Sequence, residues 1–255
     1  EPGRRSASEI SGFVLTVTHG SFRIERPLKS MGATSRHHWV IGDVHGCHDS
    51  LERLLSVLPS SDHLVFCGDV INRGPAIEAA MNRVWDLVCA GRATWLRGNH
   101  EQALIDAFSS EDADHQNSRW QTDTVLQLGE ELCQRWLARL IQLPLIYQSQ
   151  GWCATHAGFT SGGEPDLSIR DAFWENYQGS FGRAIVGHTP RPAVERHRWI
   201  VLIDTGAVYG GALSAFCPET DAVVQVHGAS GAAVAPRSDF PKSVSSVVMR
   251  DQIPC

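Results

Sequence analysis

The chain predicts an α/β fold, a four-layer-like sandwich of two facing mixed β-sheets flanked by helices, and three observations carry that prediction. In the first half, short apolar runs alternate with helical stripes, the pattern of a parallel sheet with right-handed crossovers. After Pro144 the apolar runs follow one another with little helical pattern between them, which requires a second sheet. Asp, His or Asn beside glycine closes four of the runs, where open α/β sheets place their ligand sites. A length of 255 residues with 42% hydrophobic content suits one domain of the larger sort with a full core.

Residues 1–37 read as an N-terminal extension. Arg4-Arg5 and several serines precede a brief alternating run, Phe13–Val17, and no apolar h-region follows, so a secretory signal is not expected. Met31 reads as a natural starting point, with the thirty residues before it either an extension or a non-native addition.

The domain is expected over 38–227, and Trp39-Val40-Ile41 is its first buried strand. Asp49 or Ser50 then caps a helix with Leu51, Leu54, Leu55 and Leu58 on one face, stopped at Pro59. Leu64–Cys67 is the second strand. Pro75 opens a helix striped by Ile77, Ala80, Met81, Val84, Trp85 and Val88. Thr94–Leu96 is the third strand, followed by a helix from Glu101 to about Phe108. Residues 109–128 carry no clear pattern, and Glu130–Ile141 is a helix with Leu132, Trp136, Leu137 and Leu140 inward. Strands are expected at Leu145–Tyr147, Trp152–Ala154, Ala184–Val186, Ile200–Ile203, Ala212–Phe216 and Val223–Val226. Residues 228–255, rich in Ala, Ser, Gly and Pro, read as a loosely ordered tail.

A net charge of -6 without a basic patch argues against nucleic acid or an anionic membrane as partner. An anionic substrate must then meet positive charge from metal ions and a few arginines. The seven cysteines are odd in number, form no C-x-x-C pair and sit mostly in apolar runs. That suits reduced, buried thiols and a cytoplasmic setting. No stretch approaches the ~20 consecutive apolar residues of a membrane span.

Chemistry concentrates in five blocks: Gly42–Gly46, Gly68–Gly74, Gly98–Glu101, His156–Gly158 and Gly187–Thr189. A single such block is more often a turn or a helix cap than a ligand site. Five in a compatible order point together to metal. The ligand candidates are Asp43, His45, Asp69, Asn99, His156 and His188. Asp43 and His45, two apart, converge only if the chain turns between them, which the flanking glycines allow. Asp69 is the natural bridge between two cations. Mixed nitrogen and oxygen donors favour Mn, Fe or Zn over Mg or Ca. Two such ions about 3.5–4 Å apart would clamp a phosphoryl group and draw the pKa of a bound water toward about 7, ready for in-line attack. His100 is placed to act as general acid, and Arg73 to grip equatorial phosphate oxygens. The remaining histidines, the eight tryptophans and Cys47 have ordinary structural readings, and Asp123–Glu131 reads as a solvated face.

These blocks resemble the PPP branch of the calcineurin-like metallophosphoesterases, in particular the compact bacterial and phage Ser/Thr phosphoprotein phosphatases. That pattern runs G-D-x-H-G, G-D-x-x-D-R-G, G-N-H-E, H-A-G and G-H-T, and Ile203–Gly211 is similar to the segment that follows it in bacterial members. The resemblance spans residues 38–226. It implies Asp43, His45 and Asp69 on one metal, and Asp69, Asn99, His156 and His188 on the other. It also implies phosphate contacts from Arg73, Asn99 and His100. The substrate would be a phosphorylated protein or small phosphoester.

Two departures stand out. Asn72 replaces the second aspartate of G-D-x-x-D-R-G, which in the family pairs with the catalytic histidine. An amide can accept that hydrogen bond without adding charge, so His100 is expected to be a more weakly held acid. Trp174-Glu175-Asn176 stands where bacterial relatives often carry Trp-x-Arg, leaving Arg170, Arg183 or Arg191 as substitutes. Symmetrical diadenosine tetraphosphate hydrolases also resemble this chain and have a non-acidic residue at the position of Asn72. Ile203–Gly211 leans toward the phosphoprotein type. A phosphate-binding module without turnover is the alternative from another class.

Overall fold

In a computed structural model, residues 36–109 and 122–229 are described. The chain divides after Arg36, and the unit beginning at His37 holds the architecture that follows. Its first part runs β1 (His38–Ile41), α1 (His48–Val57), β2 (His63–Phe66), α2 (Ile77–Cys89), β3 (Ala93–Trp95), α3 (Asn99–Ser109), α4 (Asp123–Leu128) and α5 (Glu130–Leu140). The second part runs β4 (Ile146–Ser149), β5 (Trp152–Thr155), β6 (Gly158–Phe159), β7 (Pro165–Asp166) and α6 (Asp171–Asn176). It ends with β8 (Arg183–Val186), β9 (Glu195–Arg196), β10 (Ile200–Leu202), a 3-10 turn (Ala207–Tyr209), β11 (Ala212–Cys217) and β12 (Ala222–His227).

Two five-stranded mixed sheets result, ordered β12-β11-β1-β2-β3 and β4-β5-β8-β10-β9. In the first, β1, β2 and β3 are parallel while β11 and β12 return antiparallel. In the second, β5, β8 and β10 are parallel with antiparallel edges β4 and β9. Strand periodicity sorts the side chains into layers. Val40, Val65, Cys67, Ile185, Val201, Ile203 and Phe216 meet between the sheets. Their neighbours Trp39, Ile41, Leu64 and Phe66 face the other way, under α1, α2 and α5. Ala184, Val186, Ile200 and Leu202 back onto Phe159 and Phe173, the latter from α6. Burial on both faces explains why these strands are continuous apolar runs in the sequence.

The expected strands and long helices form, with boundaries shifted by one to three residues. α1 begins at His48 without a side-chain cap, and Asp49 sits in its first turn instead, where its charge faces the helix N-terminus. Pro75 lies before α2, which starts at Ile77. The two-residue strands and α6 carry too little periodicity to be seen in the sequence. The expected 1–37 extension and 228–255 tail lie outside the described residues, except for Arg36, His37, Gly228 and Ala229. Gly228 and Ala229 are tied down by hydrogen bonds to the carbonyls of Gly211 and Ala207, at 2.8 and 2.9 Å. Among the described residues no helix is long and apolar enough to cross a membrane. Cys47, Cys67, Cys133, Cys153 and Cys217 are free and buried, and Cys89 is free and exposed.

Phe216, fully buried between the sheets and in register with Val40, tests this layering. Phe216→Ala should lower stability in urea denaturation by about 3–5 kcal/mol. Val57→Ala, at an exposed site, should stay within about 0.5 kcal/mol.

Candidate metal centre

Strand ends and strained turns build the site. Asp43 and His45 lie on the loop after β1, which is zipped to the loop after β2. The amides of Val44 and His45 donate to Asp69 O at 3.2 and 2.8 Å, and Gly46 donates to Val70 O at 2.8 Å. The turn expected between Asp43 and His45 is present, with φ of 44° at His45 and 63° at Gly46. Asp69, Asn72, Arg73 and His188 also have positive φ, so five of the six such non-glycine residues among those described belong to this site. Clustered backbone strain of this kind persists only where surrounding contacts over-determine it.

Glu101 is the chief of those contacts. Its carboxylate is fully buried and accepts four backbone N–H bonds. Gly98 and Asp69 donate to Oε2 at 2.8 Å each, and Val70 and Ile71 to Oε1 at 2.9 and 3.3 Å. The loop after β2 is thereby pinned to the start of α3. The His100 amide adds a bond to Asp69 Oδ1 at 2.9 Å, which aims the other carboxylate oxygen into the site. Gly98 cannot carry a Cβ here, because it would run into Asp69.

The six ligand candidates converge. His156 donates from Nδ1 to Cys67 O at 2.7 Å, so its neutral ring presents a lone pair at Nε2. That nitrogen faces Asn99 Oδ1 at 2.8 Å and Asp69 Oδ2 at 3.5 Å, both acceptors. His188 Nδ1 lies 2.9 Å from the same Asn99 oxygen. His45 likewise donates from Nδ1 to Ile71 O at 2.9 Å, and its Nε2 faces carboxylate oxygens of Asp43 at 3.9 Å and Asp69 at 3.7 Å. Asp43 is fixed from behind by the His188 amide, at 3.1 and 3.2 Å. At His156 a lone pair is aimed at lone pairs, which a cation between them would relieve, while His45 Nε2 has the Arg73 guanidinium as a donor at 2.8 Å; the donor set as a whole fits divalent metal ions. Asp69 belongs to both clusters of possible metal-holding side chains, one with His45 and His100 and one with His156 and His188.

Titration states agree with that reading. Burial pushes the Asp43 carboxyl well up, aided by Asp204 and Asp69, and burial with the charge of Glu101 does the same to Asp69. Burial and Arg73 push His45 well down, and burial and His188 push His156 well down. His188 is lowered to about 4 by burial and Arg170. Neutral imidazoles and crowded carboxylates are the forms that a cation relieves.

His100 and Asn72 depart from expectation in one respect. The Asn72 amide oxygen accepts from the Thr124 N–H and hydroxyl, at 3.2 and 3.3 Å. Its NH2 therefore faces His100 Nδ1, at 2.8 Å, and donates where the sequence led us to expect acceptance. The proton of neutral His100 then lies on Nε2, 3.9 Å from Asp69 Oδ2. Burial and the Arg73 charge lower His100 to about 3. Thr124 belongs to α4, so the solvated face expected over Asp123–Glu131 is partly wrong. Asp123 accepts from the Arg73 amide at 3.1 Å, and Gln127 donates to Gly74 O at 2.7 Å. Arg73 itself reaches His45 Nε2 at 2.8 Å and lies 5.5 Å from the Tyr209 ring centre.

Asp204, buried beside Asp43, is a further acid that sequence reasoning did not single out. Burial raises it to about 6 against the opposing Gly206 amide, Arg73 and Arg170. Its place in Ile203–Gly211 was the available signal.

Comparison with known proteins places the chain in a family. The calcineurin-like phosphoesterase profile matches residues 37–228. Serine/threonine-protein phosphatase 1 of Salmonella typhimurium is 30% identical, over 70% of this chain and 90% of that protein. A symmetrical bis(5'-nucleosyl)-tetraphosphatase of Ralstonia nicotianae is 31% identical, over 54% of this chain and 50% of that protein. A crystal structure provisionally described as a diadenosine tetraphosphatase superposes with a TM-score of 0.60 at 22% identity, over 78% of this chain and 96% of that one. The chain belongs to the calcineurin-like phosphoesterase family, and it is a metal-dependent phosphatase.

Glu101→Gln should turn two of those four amides against an NH2 group, lowering stability by about 1–3 kcal/mol in urea denaturation. Mn added at a hundred times its Kd should raise the unfolding free energy of the wild type by about 2.7 kcal/mol per bound ion. The gain should shrink in Glu101→Gln.

Proposed function

We propose that this phosphatase is a dinuclear phosphomonoester hydrolase of the protein Ser/Thr type, with Asp43, His45, Asp69, Asn99, His156 and His188 as its metal ligands. The observation that carries the reading is Asp69, whose carboxylate is common to the two side-chain clusters flanking it. Bound divalent ions would supply Lewis-acid polarisation of the phosphoryl group and an activated water. Arg73 grips phosphoryl oxygens; the Tyr209 ring and the Asp123 bond to its amide hold it in place. His100 presents Nε2–H toward the leaving oxygen, with its ring oriented by Asn72 and Asn72 in turn by Thr124. Manganese suits the mixed donor set, with iron or zinc as substitutes. A cytoplasmic setting suits the free, buried thiols. Support for the protein-phosphatase class comes from the alignment with the Salmonella enzyme, which spans 90% of that protein.

The amide of Asn72 favours a second reading. A histidine whose Nδ1 is already occupied by a donor is a poor source of protons for an alkoxide. A departing phosphate oxygen needs far less help, so symmetrical dinucleoside tetraphosphate hydrolysis fits that detail.

Mn-loaded protein assayed on an aryl phosphate, a phosphoserine peptide and diadenosine tetraphosphate separates the readings. We expect turnover of the first two, with the peptide slower. Asn72→Asp should raise kcat/KM on the peptide about tenfold or more, with aryl phosphate little changed. A preference for the tetraphosphate would favour the second reading. Phosphate binding without turnover on any substrate would leave a binding module.

A further inference from the structure

Three tryptophans gather where α2, β3 and the end of α5 meet. Trp85 meets Trp136 edge-on, with ring centres 6.0 Å apart, and Trp95 lies 6.3 Å from the Trp136 ring. Arg139 stands one turn beyond Trp136 on α5 and reaches two of them. Its guanidinium carbon is 4.6 Å from the Trp136 ring centre and 5.2 Å from that of Trp85. Trp85, Val88, Trp95, Arg139, Leu143 and Pro144 are among the residues that wall a cavity of about 260 Å³ here. No lining residue is acidic, and none belongs to the metal centre.

Two polar groups at this cavity are uncommitted. The indole N–H of Trp95 is buried and has no acceptor, a rare condition for a donor inside a folded protein. Arg139 is exposed and has no carboxylate partner among the described residues. Arg135, one turn earlier on the same helix, is instead paired with Glu131 at 2.6 Å. Stacking uses the face of a guanidinium and leaves its in-plane N–H groups free to grip an anion.

Size and lining together narrow the ligand. The cavity is smaller than the ~300–1,000 Å³ of most small-molecule sites, which suits one or two fused rings better than a nucleotide. Tryptophan walls favour a flat aromatic body, and an unpaired guanidinium favours a carboxylate. We propose that this cavity binds a small planar aromatic carboxylate. The ring packs against the tryptophans and the Leu143-Pro144 wall, Arg139 holds the carboxylate, and the Trp95 N–H donates to it. The site is separate from the metal centre and does not depend on the hydrolase reading.

Titration calorimetry with 2-naphthoate on Mn-loaded protein, with and without excess orthophosphate to occupy the metal centre, tests the assignment. Wild type should bind with a Kd of about 1 mM or tighter in both conditions. Arg139→Ala should weaken binding about tenfold or more, Arg139→Lys should recover part of the loss, and Arg135→Ala should stay within about twofold of wild type. The uncharged analogue 2-naphthalenemethanol should bind about tenfold more weakly than the carboxylate. Trp95→Phe keeps a ring but removes the N–H, and should weaken binding about threefold or more. Should that variant fail to fold, the Trp95 indole proton of the wild type takes its place, and its resonance should move downfield as naphthoate is added. Absence of binding at 1 mM overturns the proposal, as does binding by Arg139→Ala within about twofold of wild type or equal binding of the alcohol. Loss of binding in orthophosphate also overturns it, since the carboxylate would then lie on the metals.

Discussion

The loops that carry Asp43, His45 and Asp69 hang on the buried carboxylate of Glu101. Four amides of Gly98, Asp69, Val70 and Ile71 converge on it, joining the loop after β2 to the start of α3. Asp69 sits in the left-handed region at φ 51°, an unfavourable conformation for a residue with a side chain. Charge-assisted bonds to a carboxylate are among the stronger hydrogen bonds, and several together can hold such strain. The Asp69 backbone then orders the loop after β1, because its carbonyl accepts from Val44 and His45. One ionised side chain thus sets the position of three candidate ligands that it does not itself join at the centre.

The charges explain why such a site needs cations. Asp43, Asp69, Asp204 and Glu101 are all buried, and all have carboxyls raised above their ordinary range by burial. The neighbouring histidines are pushed the other way, toward the neutral form. Neither shift answers the other: uncharged imidazoles cannot neutralise crowded carboxylates. Arg73 and Arg170 supply positive charge at the rim, but the interior acceptors still face one another. Divalent ions would resolve both strains at once, which is the physical sense in which fold and chemistry depend on each other here.

Much of this was legible before any coordinates. The ligand candidates announce themselves because each follows a strand with a glycine no more than two residues away, and the ends of strands from both sheets carry them. Asp43 and His45 even disclose their turn through Gly42 and Gly46. Other features stayed hidden for definite reasons. Glu101 looks like any acid in the first turn of a helix, and three of its four partners lie some thirty residues away. α4 is six residues long, too short to show a periodicity, and its meaning lies in Thr124 meeting Asn72 across 52 positions. That contact also reversed the expected role of Asn72, since a sequence cannot say which end of an amide is already occupied. Arg170, Arg183 and Arg191 could all be named in the sequence, but not that Arg183 and Arg191 are taken up by Asp221 and Glu195.

The central claim is that Asp69, held by Glu101, lies between two cations. Anomalous diffraction from crystals grown with Mn tests it directly. The account predicts two peaks about 3.5–4 Å apart, sharing the Asp69 carboxylate, with His45 on one side and His156 and His188 on the other. A lone peak, or a pair that leaves Asp69 uncoordinated, would contradict it.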